Sequence, residues 1–151
     1  MLNNEAQDRR DGLAEIVVDA HEDIAFNATA LHMDFLSEIA TLRTLFKEGT
    51  PTVCLPELKR GNVRIIFATI WAAPCGDPST SNLPCYKTAE EAHSQGLDQL
   101  KYYRKLEQDG HISIIESRTK LEEVLESSFK VGVVLLMEGA DPMRFPAEAK
   151  T

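Results

Sequence analysis

Three side chains with metal-binding chemistry stand at every second position near the start of the chain. Asp19, His21 and Asp23 follow the apolar run Ile16–Val18. Because successive side chains of a strand alternate between its two faces, all three are predicted to share one face, while Glu22 points to the other. Imidazole nitrogen and carboxylate oxygen are both zinc ligands. His21 and Asp23 are therefore predicted to bind one metal ion, with Asp19 orienting His21.

A carboxylate recurs at the corresponding place much later in the chain. Glu138 directly follows the apolar run VVLLM and precedes Gly139. A carboxylate after such a run is costly to bury unless it is paired or bound to a metal. In parallel α/β sheets the functional residues lie at the carboxyl ends of the strands. Glu138 is therefore predicted to join His21 and Asp23, although spacing alone leaves open that those two only begin a solvated loop.

Strands alternating with helices are predicted to position these side chains. The strands are expected at residues 15–22, 63–71, 111–117 and 130–141. Strands that alternate with helices of ordinary length are typical of right-handed βαβ units and a parallel sheet. The predicted fold class is α/β.

Three helical patterns connect these strands. The first runs from residue 28 to 47, with a C-cap glycine at Gly49 and one apolar stripe made of Leu31, Phe35, Ile39, Leu42 and Phe46. The second begins after a capping box formed by Thr88 and Glu91 and stops before Gly110. A short amphipathic helix is expected at residues 119–128.

Composition bounds the classes of protein to which the chain can belong. A chain of 151 residues is one domain or part of one, and 43% hydrophobic with 26% charged residues is typical of a soluble globular protein. The net charge of -8 argues against a nucleic-acid partner. No segment approaches the roughly 20 apolar residues of a membrane helix, and residues 1–13 lack a signal-peptide pattern. A cytoplasmic protein without a membrane partner is expected.

The three cysteines, Cys54, Cys75 and Cys85, show no CxxC spacing, so neither a zinc knuckle nor a disulfide framework is expected. Cys75 and Cys85 flank a turn-rich loop and could pair in an oxidising compartment, but free thiols are the preferred interpretation.

Four segments, in this order, resemble the membrane dipeptidase family, the M19 metallopeptidases, and most of all its soluble bacterial branch. They are IVVDAHEDIAFN, LPELKRGNVRIIFATIWAAP, AEEAHSQGLDQLKYYRKL and VGVVLLMEGADPMR, and the resemblance extends from about residue 14 to 146. Where many relatives have Thr-Asp before the LPxL segment, this chain has Val53 and Cys54.

The resemblance implies a zinc-dependent (β/α)8 barrel of the amidohydrolase superfamily that hydrolyses dipeptides with a metal-activated water. It implies that His21 and Asp23 match the first-strand zinc ligands. It also implies that Glu138 is the catalytic carboxylate that bridges the two zinc ions of the complete family site. The implied partner is a small dipeptide substrate.

The length of the chain conflicts with a complete enzyme of this kind. A (β/α)8 barrel takes roughly 250 residues, and the family's other zinc ligands, two histidines, lie on later strands. The expected organisation is a polar leader at 1–13 and the N-terminal barrel segment at 14–146, inactive alone, with apolar strand faces exposed and an unpaired sheet edge after the VVLLM run. The alternatives are a non-catalytic α/β fragment that forms a homo-oligomer or pairs with a complementary C-terminal half, and an amidohydrolase acting on another small amide or lactone.

Other residues that could do chemistry are given structural interpretations. His32 is expected to be structural or exposed, His93 to be exposed beside its glutamate neighbours, and His111 to mark a turn. Trp71, at the end of a strand, is expected to pack rather than to line a pocket, and Arg144 is assigned no role.

Overall fold

The computed structural model describes residues 16–46, 51–127 and 130–150. In these residues four parallel strands form one sheet, and the strands are β1 (Val17–Glu22), β2 (Val63–Ile70), β3 (Ile112–Ile114) and β4 (Val131–Met137). Their order across the sheet is β1-β2-β4-β3. The predicted α/β class and parallel sheet are confirmed.

Five α-helices connect the strands in the described residues: α1 (Ile24–Leu31), α2 (Ile39–Leu45), α3 (Leu55–Arg60), α4 (Ala89–Gln108) and α5 (Arg118–Glu126). Short 3-10 helices cover Pro78–Thr80 and Pro146–Lys150. The predicted capping box of α4 is confirmed, because Thr88 Oγ1 accepts a hydrogen bond from the Glu91 N–H and the Glu91 carboxylate accepts one from the Thr88 N–H. None of the described helices is long and apolar enough to cross a membrane.

The single helix predicted at residues 28–47 is wrong, because the chain forms α1, a turn and then α2. His32 ends α1 in the left-handed conformation with φ 59°. Asp34 then accepts hydrogen bonds from the Leu36 N–H and the Ser37 hydroxyl. Such local side-chain hydrogen bonds compete with the helical backbone pattern. The proposed C-cap, Gly49, lies outside the described residues. Helix α3, which has a proline in its first turn, is not predicted from the sequence.

The hydrophobic core lies between the sheet and the pair α1 and α4. It includes residues from β2, β4 and the two helices, namely Ile24, Ala25, Ile66, Ala68, Ile70, Tyr103, Leu106, Val131 and Val133. The carboxyl end of β2 lies against the middle of α4, where Gln99 binds the Trp71 backbone and Tyr103 binds the Thr69 carbonyl. The candidate site lies at this edge of the sheet.

The position of β3 outside β4 puts helices on both faces of the sheet. The chain runs from β2 past β4 to β3 and then returns, and because parallel crossovers are right-handed, the reversal places α4 and α5 on opposite faces. Gly132 of β4 allows α5 to approach. A Cβ atom there would lie 2.6 Å from Ile115 Cδ1 and 2.8 Å from Val124 Cγ1.

Strand β1 is exposed although its sequence is apolar. Ile16, Val17 and Val18 are 44%, 46% and 51% exposed, and β2 is its neighbour in the described sheet. Met137, at the end of β4, is 43% exposed. The expected exposure of apolar strand residues is found, but the unpaired edge expected after the VVLLM run is wrong, because β4 pairs with β2 on one side and with β3 on the other. Because a sheet edge such as β1 offers unpaired backbone groups, it is a surface where other chain segments can add.

Cys75 and Cys85 form a disulfide, so the preferred interpretation as free thiols is wrong for this pair. A parallel bridge between Pro74 and Tyr86 brings the two ends of the loop together, which is what places the sulfur atoms within bonding distance. Cys54 is a buried free thiol. The cytoplasmic location stays a prediction, and this disulfide weighs against it because disulfides persist mainly in oxidising compartments.

Replacing both Cys75 and Cys85 with serine is expected to lower the free energy of unfolding by about 2–3 kcal/mol, because the cross-link restricts a short loop in the unfolded chain. Urea denaturation of the double variant measures the loss. Cys54→Ala is the matched control for a cysteine outside the disulfide. An unchanged unfolding midpoint in the double variant would contradict a structural disulfide.

Candidate metal centre

His21, Asp23 and Glu138 come together at the carboxyl edge of the sheet. His21 Nε2 lies 3.6 Å from Asp23 Oδ1 and 3.3 Å from Glu138 Oε2. One ligand atom from each residue lies within 4.8 Å of the other two, and no second group of this kind occurs in residues 16–46, 51–127 and 130–150. The side chains are 52%, 45% and 46% exposed, so the group is open to solvent.

The convergence follows from the positions of the strand ends. His21 lies in β1, Asp23 directly follows it, and Glu138 directly follows β4. Strand β2 lies between them, and the Glu138 N–H donates to the Ile70 carbonyl at 3.1 Å, which extends the β2–β4 ladder by one residue. Gly139 then turns the chain with φ 76°, a conformation that favours glycine.

The turn after Glu138 is fastened to α4 and to the disulfide loop. His93 Nδ1 lies 2.8 Å from the Pro142 carbonyl, and the Tyr86 hydroxyl donates to Asp141. Gly96 allows close packing here, since a Cβ atom would lie 2.6 Å from Pro142 Cβ. The backbone that carries Glu138 is therefore held on both sides.

Asp23 is held by residues that the sequence analysis did not select. The Thr69 hydroxyl donates to Asp23 Oδ1 at 2.5 Å. The Tyr103 hydroxyl donates to the Thr69 carbonyl at 2.9 Å and accepts a hydrogen bond from the Ala25 N–H at 3.1 Å. The only sequence signal was a threonine in an otherwise apolar stretch of β2. Burial of the Tyr103 ring raises the pKa of its hydroxyl, which keeps it a donor.

The prediction that side chains of β1 alternate strictly between the two faces of the sheet is wrong beyond Asp19. The register with β2 shifts between Asp19 and Glu22, which marks a bulge, and a bulge breaks the alternation of side chains. The Asp19 and Glu22 carboxyl groups consequently lie side by side. Burial raises the pKa of Glu22 to about 7, and the charge and hydrogen bond of Asp19 add to the effect. Asp19 contacts His21 through the backbone, accepting its N–H at 3.1 Å.

The electrostatics of this edge favour a cation. Asp23 and Glu138 flank one imidazole, and the Asp19 and Glu22 carboxyl groups lie in the adjacent bulge. The excess of carboxylates around exposed ligand atoms is the environment in which a divalent cation gains most from binding.

The weaker candidates have structural positions. Trp71 packs edge-on against Phe26 with ring centroids 4.9 Å apart, so the packing interpretation is confirmed. Its backbone N–H and carbonyl both bind the buried side chain of Gln99. His93 is partly buried and lies 3.8 Å from Glu148, so the prediction that it is an exposed partner of its sequence neighbours is wrong. Its position near Pro142 results from packing between α4 and a distant turn.

The other three positions agree with their structural interpretations. His32 is exposed at the end of α1. His111 follows Gly110, which has φ 80°, and its N–H donates to a carbonyl at the end of α4, so the predicted turn is confirmed. Arg144 forms an ion pair with Glu148.

The sequence matches no family model and no curated protein. Solved structures of dipeptidases do match its fold. The metallopeptidase dipeptidase AC of family M19 matches with a TM-score of 0.56 and 19% identity, over 84% of this chain and 38% of its own. A metallopeptidase from Rhodobacter sphaeroides, liganded with a phosphinate mimic of the dipeptide L-Ala-D-Ala, matches with a TM-score of 0.58 and 17% identity, over 84% of this chain and 39% of its own. The probable dipeptidase PvdM from Pseudomonas aeruginosa matches with a TM-score of 0.57 and 18% identity, over 93% of this chain and 32% of its own.

These similarities concern the fold. The chain has the α/β fold of part of the TIM barrel of M19 dipeptidases, as the resemblance predicted. It spans between about a third and two fifths of the length of the solved dipeptidases that it matches.

Proposed function

We propose that the chain carries part of the metal centre of a zinc-dependent hydrolase that cleaves dipeptides, with His21, Asp23 and Glu138 as zinc ligands. The observation that carries the proposal is the convergence of one imidazole and two carboxylates from two strand ends. The domain assignment belongs to the same proposal, with residues 14–146 as a barrel segment.

The distances from His21 to the two carboxylates fit ligands of a single zinc ion. Zinc binds nitrogen and oxygen ligands at about 2.0–2.2 Å in tetrahedral geometry, which separates two ligands of one ion by about 3.4 Å. The distances from His21 Nε2 to the two carboxylates, 3.6 and 3.3 Å, lie on either side of that value. The exposure of the group would leave the fourth position to water or substrate.

A zinc ion at this edge would supply a Lewis acid that acidifies water and polarises a carbonyl group. The residues of the chain have separate parts in such a centre. His21 and Asp23 bind from one strand end, so their relative position is set by local backbone geometry. Glu138 approaches from β4 and has two oxygens, which suits the bridging of two ions that the family resemblance implies. A second ion would need ligands in addition to these three.

The substrate class is proposed from the structural neighbours. One of them is described as bound to a phosphinate mimic of a dipeptide, and the other two as dipeptidases. We therefore propose a dipeptide as substrate for the whole protein. Self-association or a complementary half-barrel remains a prediction, and the exposed β1 edge is the surface on which either would add.

Titration of the 151-residue chain with Co²⁺ or Zn²⁺ tests the metal centre. We expect one ion per chain. His21→Ala should weaken metal binding by more than about 100-fold, since the loss of a residue that only orients a ligand already lowers metal affinity by about 10–100-fold. His111→Ala is the matched control, because this histidine precedes β3 at the opposite edge of the sheet. Equal binding by the wild type and His21→Ala would contradict the proposed site.

A further inference from the structure

Beyond the three ligands, we infer that Thr69 is a positioning residue that fixes the Asp23 carboxylate for metal binding through its hydroxyl, an inference that rests on the proposed function. Thr69 is fully buried, with 0% exposure, in the part of β2 that lies between the two ligand-bearing strand ends. It is separated from Asp23 by 46 residues in the sequence, so only the fold brings them together.

The hydrogen bond to Asp23 is the dominant contact of the Thr69 hydroxyl. Its oxygen lies 2.5 Å from Asp23 Oδ1 but 3.4 Å from the Glu22 carbonyl, and a hydroxyl has one hydrogen to donate. A hydrogen bond to a charged acceptor is shorter and about twice as strong as one between neutral groups. The short contact thus assigns the hydroxyl proton to the carboxylate.

Asp23 needs such a contact because little else restrains its side chain. It stands at the N-terminus of α1, yet its carboxylate makes no capping hydrogen bond to that helix, and 45% of the side chain is exposed. Without Thr69 the carboxylate could rotate away from His21. When the Thr69 hydroxyl donates to Oδ1, this oxygen still has a lone pair for a metal ion, and Oδ2 is also available as a ligand.

The position of Thr69 is itself rigid. Tyr103 of α4 binds the Thr69 main-chain carbonyl and the Ala25 N–H, so one buried hydroxyl joins the backbone of β2 to the start of α1. Next to Thr69, the Ile70 carbonyl accepts the Glu138 N–H. Two consecutive residues of β2 therefore hold both carboxylate ligands, one through a side chain and the other through the backbone.

Substitution of Thr69 separates the hydroxyl from the packing. Thr69→Val keeps the shape and leaves the Tyr103 contact, which involves the main chain, in place. We expect it to weaken Co²⁺ binding by about 10–100-fold, the usual cost of losing a partner behind a ligand, and to alter the visible spectrum of bound Co²⁺. Thr69→Ser retains the hydroxyl and should bind within a few-fold of the wild type.

The outcomes separate this inference from the proposed function. If the wild type binds Co²⁺ through His21 and Thr69→Val binds equally well, the inference is wrong and the metal centre stands. If the wild type shows no binding that depends on His21, both are wrong. A Thr69→Val chain that is less stable without metal but binds normally would show a merely structural hydroxyl and also overturn the inference. Should Thr69→Val fail to fold, Thr69→Ala compared with Thr69→Ser gives the same test.

Discussion

The purified 151-residue chain is expected to show no hydrolysis of Gly-X or L-Ala-X dipeptides above background, even with added Zn²⁺. Three protein ligands and a water suffice for one zinc ion, but the two-ion centre that the family resemblance implies needs more ligands than His21, Asp23 and Glu138 provide. The neighbouring dipeptidases are more than twice as long as this chain. Zinc binding without turnover is therefore the expected behaviour, and release of free amino acids is the measurement.

His21→Ala serves as the control in this assay. Zinc-dependent turnover that disappears in this variant would contradict the prediction and would indicate that an oligomer assembles the remaining ligands. Size-exclusion chromatography of the same sample would then show whether activity follows the assembled form. Turnover that persists in His21→Ala would indicate a contaminating peptidase.

Tyr103→Ala is expected to have the largest effect on stability. The side chain has 0% exposure and is the largest of the fully buried ones. Truncating a buried aromatic residue costs about 3–5 kcal/mol, and two backbone groups lose their partner, at about 1–3 kcal/mol for each group left unpaired. The sum approaches the whole stability of a small domain, about 5–15 kcal/mol. Circular dichroism should therefore show a largely unfolded chain at 25 °C.

Two variants separate the contributions of Tyr103. Tyr103→Phe keeps the packing and removes the hydroxyl, so a loss of about 2–6 kcal/mol is expected for the two backbone groups left unpaired. Tyr102→Ala removes the adjacent ring, which packs against the core from a partly buried position, and should cost roughly 1–2 kcal/mol. A Tyr103→Ala chain as stable as Tyr102→Ala would contradict the bridging role of this tyrosine.

Local patterns were sufficient where neighbouring residues decide the structure. Apolar runs predicted the four strands, and the capping box predicted the start of α4, because these signals depend on backbone geometry over a few residues. The candidate ligands were found for the same reason. His21, Asp23 and Glu138 each end or follow an apolar strand, and parallel strands present their carboxyl ends at one edge.

Tertiary contacts decided what these patterns could not express. The apolar stripe predicted one helix at residues 28–47, but hydrogen bonds of Asp34 and the left-handed His32 divide it. The bulge that places Asp19 beside Glu22 is visible only in the register with β2. The disulfide likewise depends on the bridge that closes the loop between Cys75 and Cys85.

The contacts that hold the candidate ligands in place were likewise decided by the tertiary structure. Asp23 meets Thr69 across 46 residues and Thr69 meets Tyr103 across 34, and no local periodicity encodes either distance. The candidate metal ligands could be identified from the sequence because only a few types of side chain bind metal ions. The residues that hold those ligands could not, because any buried hydroxyl of the right reach can do so, and its position exists only after the sheet and α4 have packed.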